Sequence, residues 1–305
     1  MRFITYCKQS LTAAIFTAIS GMLAFVGGVA AFTVSHPHNT ANTSHQTASV
    51  ITSFPAPFTL ADTTLVARAA IVYDPTDGRV LYAKNAELPL PLASITKLMT
   101  AEIALAGSAS STQVTITKKD ILHQGDWGLK PGDTLSLYAL IKLGLIASAN
   151  DAMAAVANSL GDGYLAQMND TAANLQMTQT HFLNPTGLDV STTTAGAYSS
   201  AHDVARLAAT FYAQHPDYFT LTQQPAVHTI DGTRTLAAVA TALPLLNIPG
   251  LIGAKTGYTD LAGGNLVAVF DVEIGHPLVA VVLGSTEEGR FDDIRTLINT
   301  ARASL

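Results

Sequence analysis

Three short stretches hold the residue types that could do chemistry: Ser94-Ile95-Thr96-Lys97, Ser148-Ala149-Asn150 and Lys255-Thr256-Gly257. They supply a nucleophile, two candidate bases, a side-chain amide and a cation. Those are the parts of an acyl-transfer site that works without histidine, and they fit a serine peptidase. A lone S-x-x-K arises roughly once by chance in a chain this long. The weight therefore rests on the order of the three stretches and on their settings.

A serine hydroxyl needs a base to become nucleophilic, and an amine three residues on along a helix lies on the same face. Ser94 and Lys97 have that spacing, and a helix starting close to Ser94 offers unpaired backbone N–H groups to a developing oxyanion. Lys97 must be neutral to accept a proton, although a free lysine titrates near ~10.4. Burial and a second cation both lower that value, and Lys255 is the candidate cation. Standing alone, Ser94 and Lys97 fit equally a helix N-terminal serine and a snorkelling surface lysine. Ser148 and Asn150 fall between a predicted helix end and a predicted helix start, where side chains face a cleft; Asn150 also suits an N-cap. Lys255-Thr256-Gly257 reads as a short strand with glycine where a bulky side chain would block a ligand. A substrate strand can add to that edge, with Lys255 and Thr256 facing a carboxylate.

The elements that must position these residues alternate in kind. Arg68 to Asn85 reads as a hairpin around Pro75-Thr76-Asp77-Gly78. Leu251 to Tyr258, Gly264 to Asp271 and Leu278 to Gly284 read as three more strands. Between them lie helical patterns: one carrying Ile95, Leu98, Met99 and Ile103, then Leu135 to Ile146, Ala152 to Leu160, and about Ser200 to Tyr212. Ile294, Leu297 and Ile298 mark a closing helix. The expected fold is α/β, a five-stranded antiparallel sheet flanked by helices with a helical lobe inserted in mid-chain, and a site in the cleft between the two parts.

With 305 residues, 48% hydrophobic and 12% charged, the chain can bury one sizeable core. A net charge of -6 leaves no basic face for nucleic acid. Leu11 to Val34 carries no charge and follows Arg2 and Lys8, which favours an uncleaved membrane anchor over a cleaved signal and exports everything after it. Val29-Ala30-Ala31 offers small cleavage-like positions, but inside the apolar run. The only cysteine, Cys7, precedes that run, so the exported part has no thiol. Residues 35–62 read as a polar tether whose His36, His38 and His45 are incidental. The expected organisation is thus 1–34 anchor or signal, 35–62 linker and 63–305 catalytic domain. No metal or other cofactor is expected: Glu273 and His276 have ligand-like spacing but fall at a hairpin turn, and no H-E-x-x-H occurs.

The folded part resembles the D-alanyl-D-alanine carboxypeptidases, low-molecular-mass penicillin-binding proteins of the S11 serine peptidase type. The resemblance spans nearly all of residues 67–304. It rests on Pro91-Leu92-Ala93-Ser94-Ile95-Thr96-Lys97, Ser148-Ala149-Asn150-Asp151-Ala152, Asn184-Pro185-Thr186-Gly187-Leu188-Asp189, Tyr198-Ser199-Ser200 and Lys255-Thr256-Gly257-Tyr258-Thr259. It implies that Ser94 is acylated by the penultimate D-Ala of a peptidoglycan stem peptide ending in D-Ala-D-Ala while the last D-Ala leaves. Lys97 is then the general base, Ser148 passes the proton to the departing amine, and Asn150 holds Lys97 and the substrate amide. Lys255, Thr256 and Thr259 would line the pocket for the terminal carboxylate, with Arg290 matching an arginine used for the same purpose. Gly257 keeps the strand open, and the backbone N–H groups of Ser94 and Tyr258 are the implied oxyanion donors. β-Lactams are implied as covalent inhibitors.

Two departures stand out. Members often carry histidine where this chain has Thr186, and many continue into a β-rich domain and a C-terminal membrane helix. Three rivals compete with the carboxypeptidase reading. A class A β-lactamase uses a glutamate-positioned water for deacylation, and no glutamate occurs from Ile103 to Val272. A metal-dependent DD-peptidase lacks its motif. A membrane-anchored β-lactam sensor or non-catalytic peptidoglycan-binding protein would keep Ser94 without turnover, but a sensor needs an intracellular output domain and about ten residues precede the span.

Overall fold

The computed structural model describes residues 56–59, 64–121, 124–229 and 235–304. Two strands come from the start of that range, β1 (Ala69–Asp74) and β2 (Arg79–Lys84). Three come from its end, β3 (Leu251–Thr259), β4 (Gly263–Glu273) and β5 (His276–Ser285). They form one antiparallel sheet in the order β3-β4-β5-β1-β2, so β3 is an edge. The two ends of the chain close on each other through β1 and β5, with Ile71 opposite Val281. In the β1–β2 turn Gly78 takes a φ of 75°, a left-handed conformation that glycine adopts without penalty.

Helices fill the mid-chain as expected, with some shifts. α1 is Lys97–Gly107, α2 Leu137–Ile146 and α3 Asn150–Ser159. α4 is Tyr164–Asn174, α5 Ala201–Gln214, α6 Pro216–Thr220 and α7 Gly289–Ala303. α2 starts at Leu137 rather than Leu135 because the Ser136 hydroxyl accepts from Ala139 N at 3.2 Å, a side-chain cap, while Thr134–Ser136 pairs as a strand with Gln113–Thr115. α5 is capped in the same way by Ser200, whose Oγ accepts from Asp203 N at 3.1 Å. α3 starts at Asn150 itself, with Ala149 in the capping position, so Asn150 is not the N-cap that its type suggested. α4 was not anticipated; only Met168 and Ala172 are buried along it, too few to write a helical period.

Side chains alternate across the sheet, and both faces are covered. Ile71, Val267, Val269, Val279 and Val281 pack on the helical lobe. Val72, Ala268, Phe270, Ala280 and Val282 pack on Ile294, Leu297, Ile298 and Ala301 of α7. A doubly covered strand reads as a nearly continuous apolar run, which is how β4 and β5 appear in the sequence. Each fully buried Ile, Leu or Val contributes about 1.5–3 kcal/mol relative to exposure. Asp293 of α7 ties the layers together: its carboxylate accepts from Val66 N (2.9 Å), Ala67 N (2.8 Å) and Ser285 Oγ (2.7 Å).

Residues 56–59, assigned to the linker by composition, lie on the domain. Phe58 stacks on Tyr82 with ring centroids 5.4 Å apart, and its N–H donates to Leu81 O at 2.9 Å. An aromatic ring that finds an apolar partner overrides the polar character of its neighbours. The stretch Leu11–Val34 lies outside the described residues. Among the described residues, no helix is long and apolar enough to cross a membrane.

Candidate active site

Ser94 sits in a 3-10 turn, Ala93–Thr96, and α1 follows directly with Lys97 as its first residue. In 3-10 geometry the side chains at i and i+3 eclipse one another. Lys97 Nζ accordingly lies 2.6 Å from Ser94 Oγ. The turn is entered through Ala93 at φ 49°, a left-handed conformation that costs a non-glycine residue about 1–2 kcal/mol. Neighbouring bonds hold it there: Leu92 N donates to Ala197 O (2.9 Å), and Asn265 Nδ2 donates to Pro91 O (2.8 Å).

A second contact fixes Lys97. Its Nζ donates to the Thr186 backbone carbonyl at 3.0 Å. The loop from 184 to 189 that offers this carbonyl is organised by Asn184, whose Oδ1 accepts from Gly187 N (2.8 Å) and Thr186 N (3.1 Å) and whose Nδ2 donates to Leu188 O (2.7 Å). Thr100 of α1 donates its hydroxyl to Pro185 O at 2.6 Å. Gly187 (φ 80°) lies against the nucleophile's turn so closely that an added Cβ would be 1.8 Å from Ala93 O. Main-chain atoms and Asn184 build this wall together with the Thr186 hydroxyl, which donates to Asn184 Oδ1 at 3.2 Å and accepts from Leu188 N at 3.3 Å.

Ser148 has φ 60°, the second strained non-glycine residue at the site. Its Oγ accepts from Lys255 Nζ at 3.0 Å, and the same ammonium donates to Thr256 O at 2.9 Å. The turn before α3 is anchored by Asp151, fully buried, which accepts from Ala152 N and Trp127 N (both 2.8 Å) and Leu129 N (3.4 Å). Asn150 departs from expectation. Its Nδ2 donates to Gln124 O, and its buried Oδ1 has no hydrogen-bond partner, so it does not hold Lys97. The carbonyl of the loop opposite takes the amide donor, and Thr186 O takes Lys97 instead.

Alternation along β3 sends Lys255, Gly257 and Thr259 to the lobe face and Thr256 and Tyr258 to the other. Gly257 allows the strand to touch the nucleophile's turn: an added Cβ would be 2.7 Å from Leu92 O and 3.2 Å from Ser94 N. On the other side, Arg290 Nη1 donates to Gly257 O at 2.9 Å, while its buried Nε has no hydrogen-bond partner. Thr256 is 3% exposed and Tyr258 46% exposed, so Tyr258 forms the outer lip. Thr259 donates its hydroxyl to Asp189 Oδ1 at 2.9 Å, a contact that the sequence did not reveal.

Lys97 and Lys255 are both 0% exposed. Burial, and then the charge of Lys255, hold the Lys97 ammonium well below its ordinary pKa. Burial, and then Arg290, push Lys255 down to about 7. Lys97, bonded to Ser94 and next to the charge of Lys255, is thus a lysine that gives up its proton readily. A neutral amine 2.6 Å from a serine hydroxyl can act as a general base. Against the loop that carries Thr186 opens a cleft of about 630 Å³ lined by Asn150, Thr186, Asp189, Tyr258 and Thr259 among others; Ser94, Lys97, Ser148 and Lys255 do not line it. His276, considered above as a metal ligand, bonds Asp74 Oδ2 at 2.8 Å through Nε2. Among the described residues no cluster of His, Cys, Asp and Glu could hold a metal ion.

The structure brings Ser94, Lys97, Ser148, Lys255 and Gly257 to one place; Thr256, Tyr258 and Arg290 lie on the other side of β3, and Asn150 and Thr259 flank the group. Sequence reasoning missed the carbonyl of Thr186, the scaffold role of Asn184 and the reach of Asp189. The run Asn184-Pro185-Thr186-Gly187-Leu188-Asp189 was their only trace.

The sequence pattern of the peptidase S11 family, described as D-alanyl-D-alanine carboxypeptidase, matches residues 56–287. A D-alanyl-D-alanine carboxypeptidase of Escherichia coli K12 is 30% identical over 75% of this chain and 61% of its own length. Another, from Mycobacterium tuberculosis, is 32% identical over 73% of this chain and 77% of its own. Against the Escherichia coli relatives the chain spans about three fifths of their length. Among solved structures, the Mycobacterium tuberculosis D-alanyl-D-alanine carboxypeptidase superposes with a TM-score of 0.74 at 29% identity, covering 82% of this chain and 96% of that one. Penicillin-binding protein D2 of Listeria monocytogenes, in its ampicillin-bound form, gives 0.69 at 29% identity, covering 79% and 99%. With the family pattern laid over the same residues that fold into the Ser94 cleft, the chain belongs to the S11 family of D-alanyl-D-alanine carboxypeptidases.

Proposed function

We propose that this protein is a serine DD-carboxypeptidase that removes the terminal D-Ala from peptidoglycan stem peptides. The observation that carries the reading is the 2.6 Å contact between Ser94 Oγ and a Lys97 amine whose proton affinity is strongly depressed. The family it belongs to supports the substrate class.

In this reading the peptide lies along the free edge of β3 with its terminal carboxylate toward Thr256, Lys255 and Arg290. Neutral Lys97 takes the Ser94 proton as Oγ attacks the carbonyl carbon of the penultimate D-Ala. The N–H groups of Ser94 and Tyr258 receive the negative oxygen. The proton returns through Ser148 to the nitrogen of the last D-Ala, the amide C–N bond breaks, and an ester on Ser94 remains. Lys97 then takes a proton from water as the water oxygen attacks that ester, releasing the shortened peptide. Asn150 Oδ1 is available to the N–H of the substrate amide. A β-lactam follows the first half of this course and leaves a slowly hydrolysed adduct; penicillin-binding protein D2 of Listeria monocytogenes, which this chain resembles, is known in ampicillin-bound and cefotaxime-bound forms.

Residues 63–305 act as the catalytic domain in this reading, with 35–62 as a linker whose residues 56–59 lie on that domain and 11–34 as a membrane anchor that holds the enzyme on the outer face of the cytoplasmic membrane. The charge-free run from Leu11 to Val34 supports the anchor. Membrane fractionation of the full chain against a variant lacking residues 1–34 tests it: the first should sediment with membranes and the second should not.

The activity is tested by incubating the protein with a peptide ending in D-Ala-D-Ala. Wild type should release free D-Ala, and Ser94→Ala essentially none. Equal release from both would remove Ser94 from the reaction.

A further inference from the structure

Asp189 ends a loop that Asn184 braces from within and that offers carbonyls to Lys97 and Thr100 of α1. Asn184 accepts from the loop's Thr186 N and Gly187 N and donates to Leu188 O, and the Asp189 carboxylate reaches 70 residues along the chain. Its Oδ1 accepts from Thr259 Oγ1 at 2.9 Å, and its Oδ2 accepts from Leu261 N at 3.4 Å. Thr259 Oγ1 in turn accepts from Ala262 N at 3.2 Å, so one carboxylate organises the whole β3–β4 turn.

Thr259 lies on the same face of β3 as Lys255 and Gly257, four and two residues along from them. The loop that carries Asp189 also gives Lys97 its carbonyl partner at Thr186 and presses Gly187 against Ala93. A single rigid loop therefore touches the base, the turn of the nucleophile and the end of the substrate-side strand. Its touch on the strand is made by one side chain.

We propose that Asp189 is a positioning residue: its bond to Thr259 fixes the end of β3 against the loop that holds Lys97, and so sets the gap in which a peptide must lie between β3 and Ser94. There is a consequence for recognition. A threonine hydroxyl has one proton, and Thr259 gives its own to Asp189. Thr259 can then face a ligand only as an acceptor, and the donors to a terminal carboxylate are the Thr256 hydroxyl, Lys255 and Arg290. The role given to Thr259 by family resemblance changes from contact to support. The peptide part of this inference rests on the carboxypeptidase reading above; the strut does not.

The test uses the full chain as wild type, Asp189→Asn, Asp189→Ala, Thr259→Val and the Asp189→Ala/Thr259→Val double variant. It measures kcat and KM on a D-Ala-D-Ala peptide, the second-order rate of penicillin acylation, and the melting temperature. Asp189→Ala and Thr259→Val should each raise KM and slow penicillin acylation about tenfold, with kcat within about threefold, and the double variant should be no worse than the poorer single one, because both remove one bond. Asp189→Asn retains an oxygen for Thr259 and should recover most of the loss. Multiplied losses in the double variant, a loss confined to kcat, or an Asn variant as impaired as the Ala variant would each overturn the proposal. If Asp189→Ala does not fold, the contrast between Asp189→Asn and Thr259→Val decides in the same terms. Should wild type release no D-Ala while penicillin acylation follows the expected pattern, the peptide reading fails and the strut stands.

Discussion

Lys255 lowers the proton affinity of Lys97 while bonded to a different hydroxyl, that of Ser148 at 3.0 Å. Lys97 keeps Ser94 to itself at 2.6 Å. Two buried amines thus divide two serines between them, and the Arg290 charge stands behind Lys255.

Lys97→Met should remove the base and leave the packing. D-Ala release and penicillin acylation should fall about 10²–10⁴-fold. The domain itself should be at least as stable, since the desolvation of a buried amine is relieved when an apolar chain of similar volume takes its place. Acylation kinetics beside urea unfolding check both halves, and a variant that is both inactive and less stable would contradict the account.

The pH dependence of stability follows from the direction of the lysine shifts. Between its lowered value in the folded state, about 7 for Lys255, and the ordinary ~10.4 of the unfolded chain, the unfolded state holds more protons, so stability rises with pH through that window. The slope for one lysine is about 1.4 kcal/mol per pH unit. The difference in unfolding free energy between wild type and Lys255→Met, measured from pH 7 to 9, should rise with that slope. A flat difference would place the Lys255 titration elsewhere.

Activity should show the opposite limb. Lys97 must lose its proton before it can act, and Lys255 must keep its own to attract a carboxylate. The kcat/KM profile should therefore be a bell with its alkaline side set by Lys255 near pH 7. Once substrate is bound, its carboxylate stabilises the Lys255 ammonium. The alkaline limb of kcat should lie at higher pH than that of kcat/KM, as initial-rate measurements across pH 5–10 would reveal.

Gly257→Ala tests the close passage of β3 over the nucleophile. A methyl group there would sit 2.7 Å from Leu92 O and 3.2 Å from Ser94 N, so the strand must move away from Ser94. We expect at least a tenfold loss of acylation with a small change in melting temperature, because an edge strand yields more easily than the core. Full activity in this variant would mean that the turn, not the strand, gives way.

The architecture was legible because both faces of the sheet are covered and the helical lobe is amphipathic or buried, so apolar spacing writes the elements directly. Ser94, Lys97, Ser148 and Lys255 were legible because their types are rare in combination. What escaped depends on where polar atoms point. Nothing in the spacing says that Asn150 turns to Gln124, that a main-chain oxygen at Thr186 holds Lys97, or that Asp189 crosses to Thr259. These are long-range hydrogen bonds chosen by the fold after the elements have packed. α4 escaped for a different reason, since it lies on the surface with two buried residues and carries little periodic signal.

Ala93 and Ser148 hold left-handed backbone at φ 49° and 60° on either side of the reacting groups. Glycine at either position would relax about 1 kcal/mol of that conformation. At 93 it would also free the chain to wander through orientations in which Ser94 no longer faces Lys97, and at 148 it would remove the hydroxyl that accepts from Lys255. A population selected only for heat resistance would therefore drift toward glycine here and toward apolar residues at Lys97 and Lys255, and it would lose its chemistry while its fold improved.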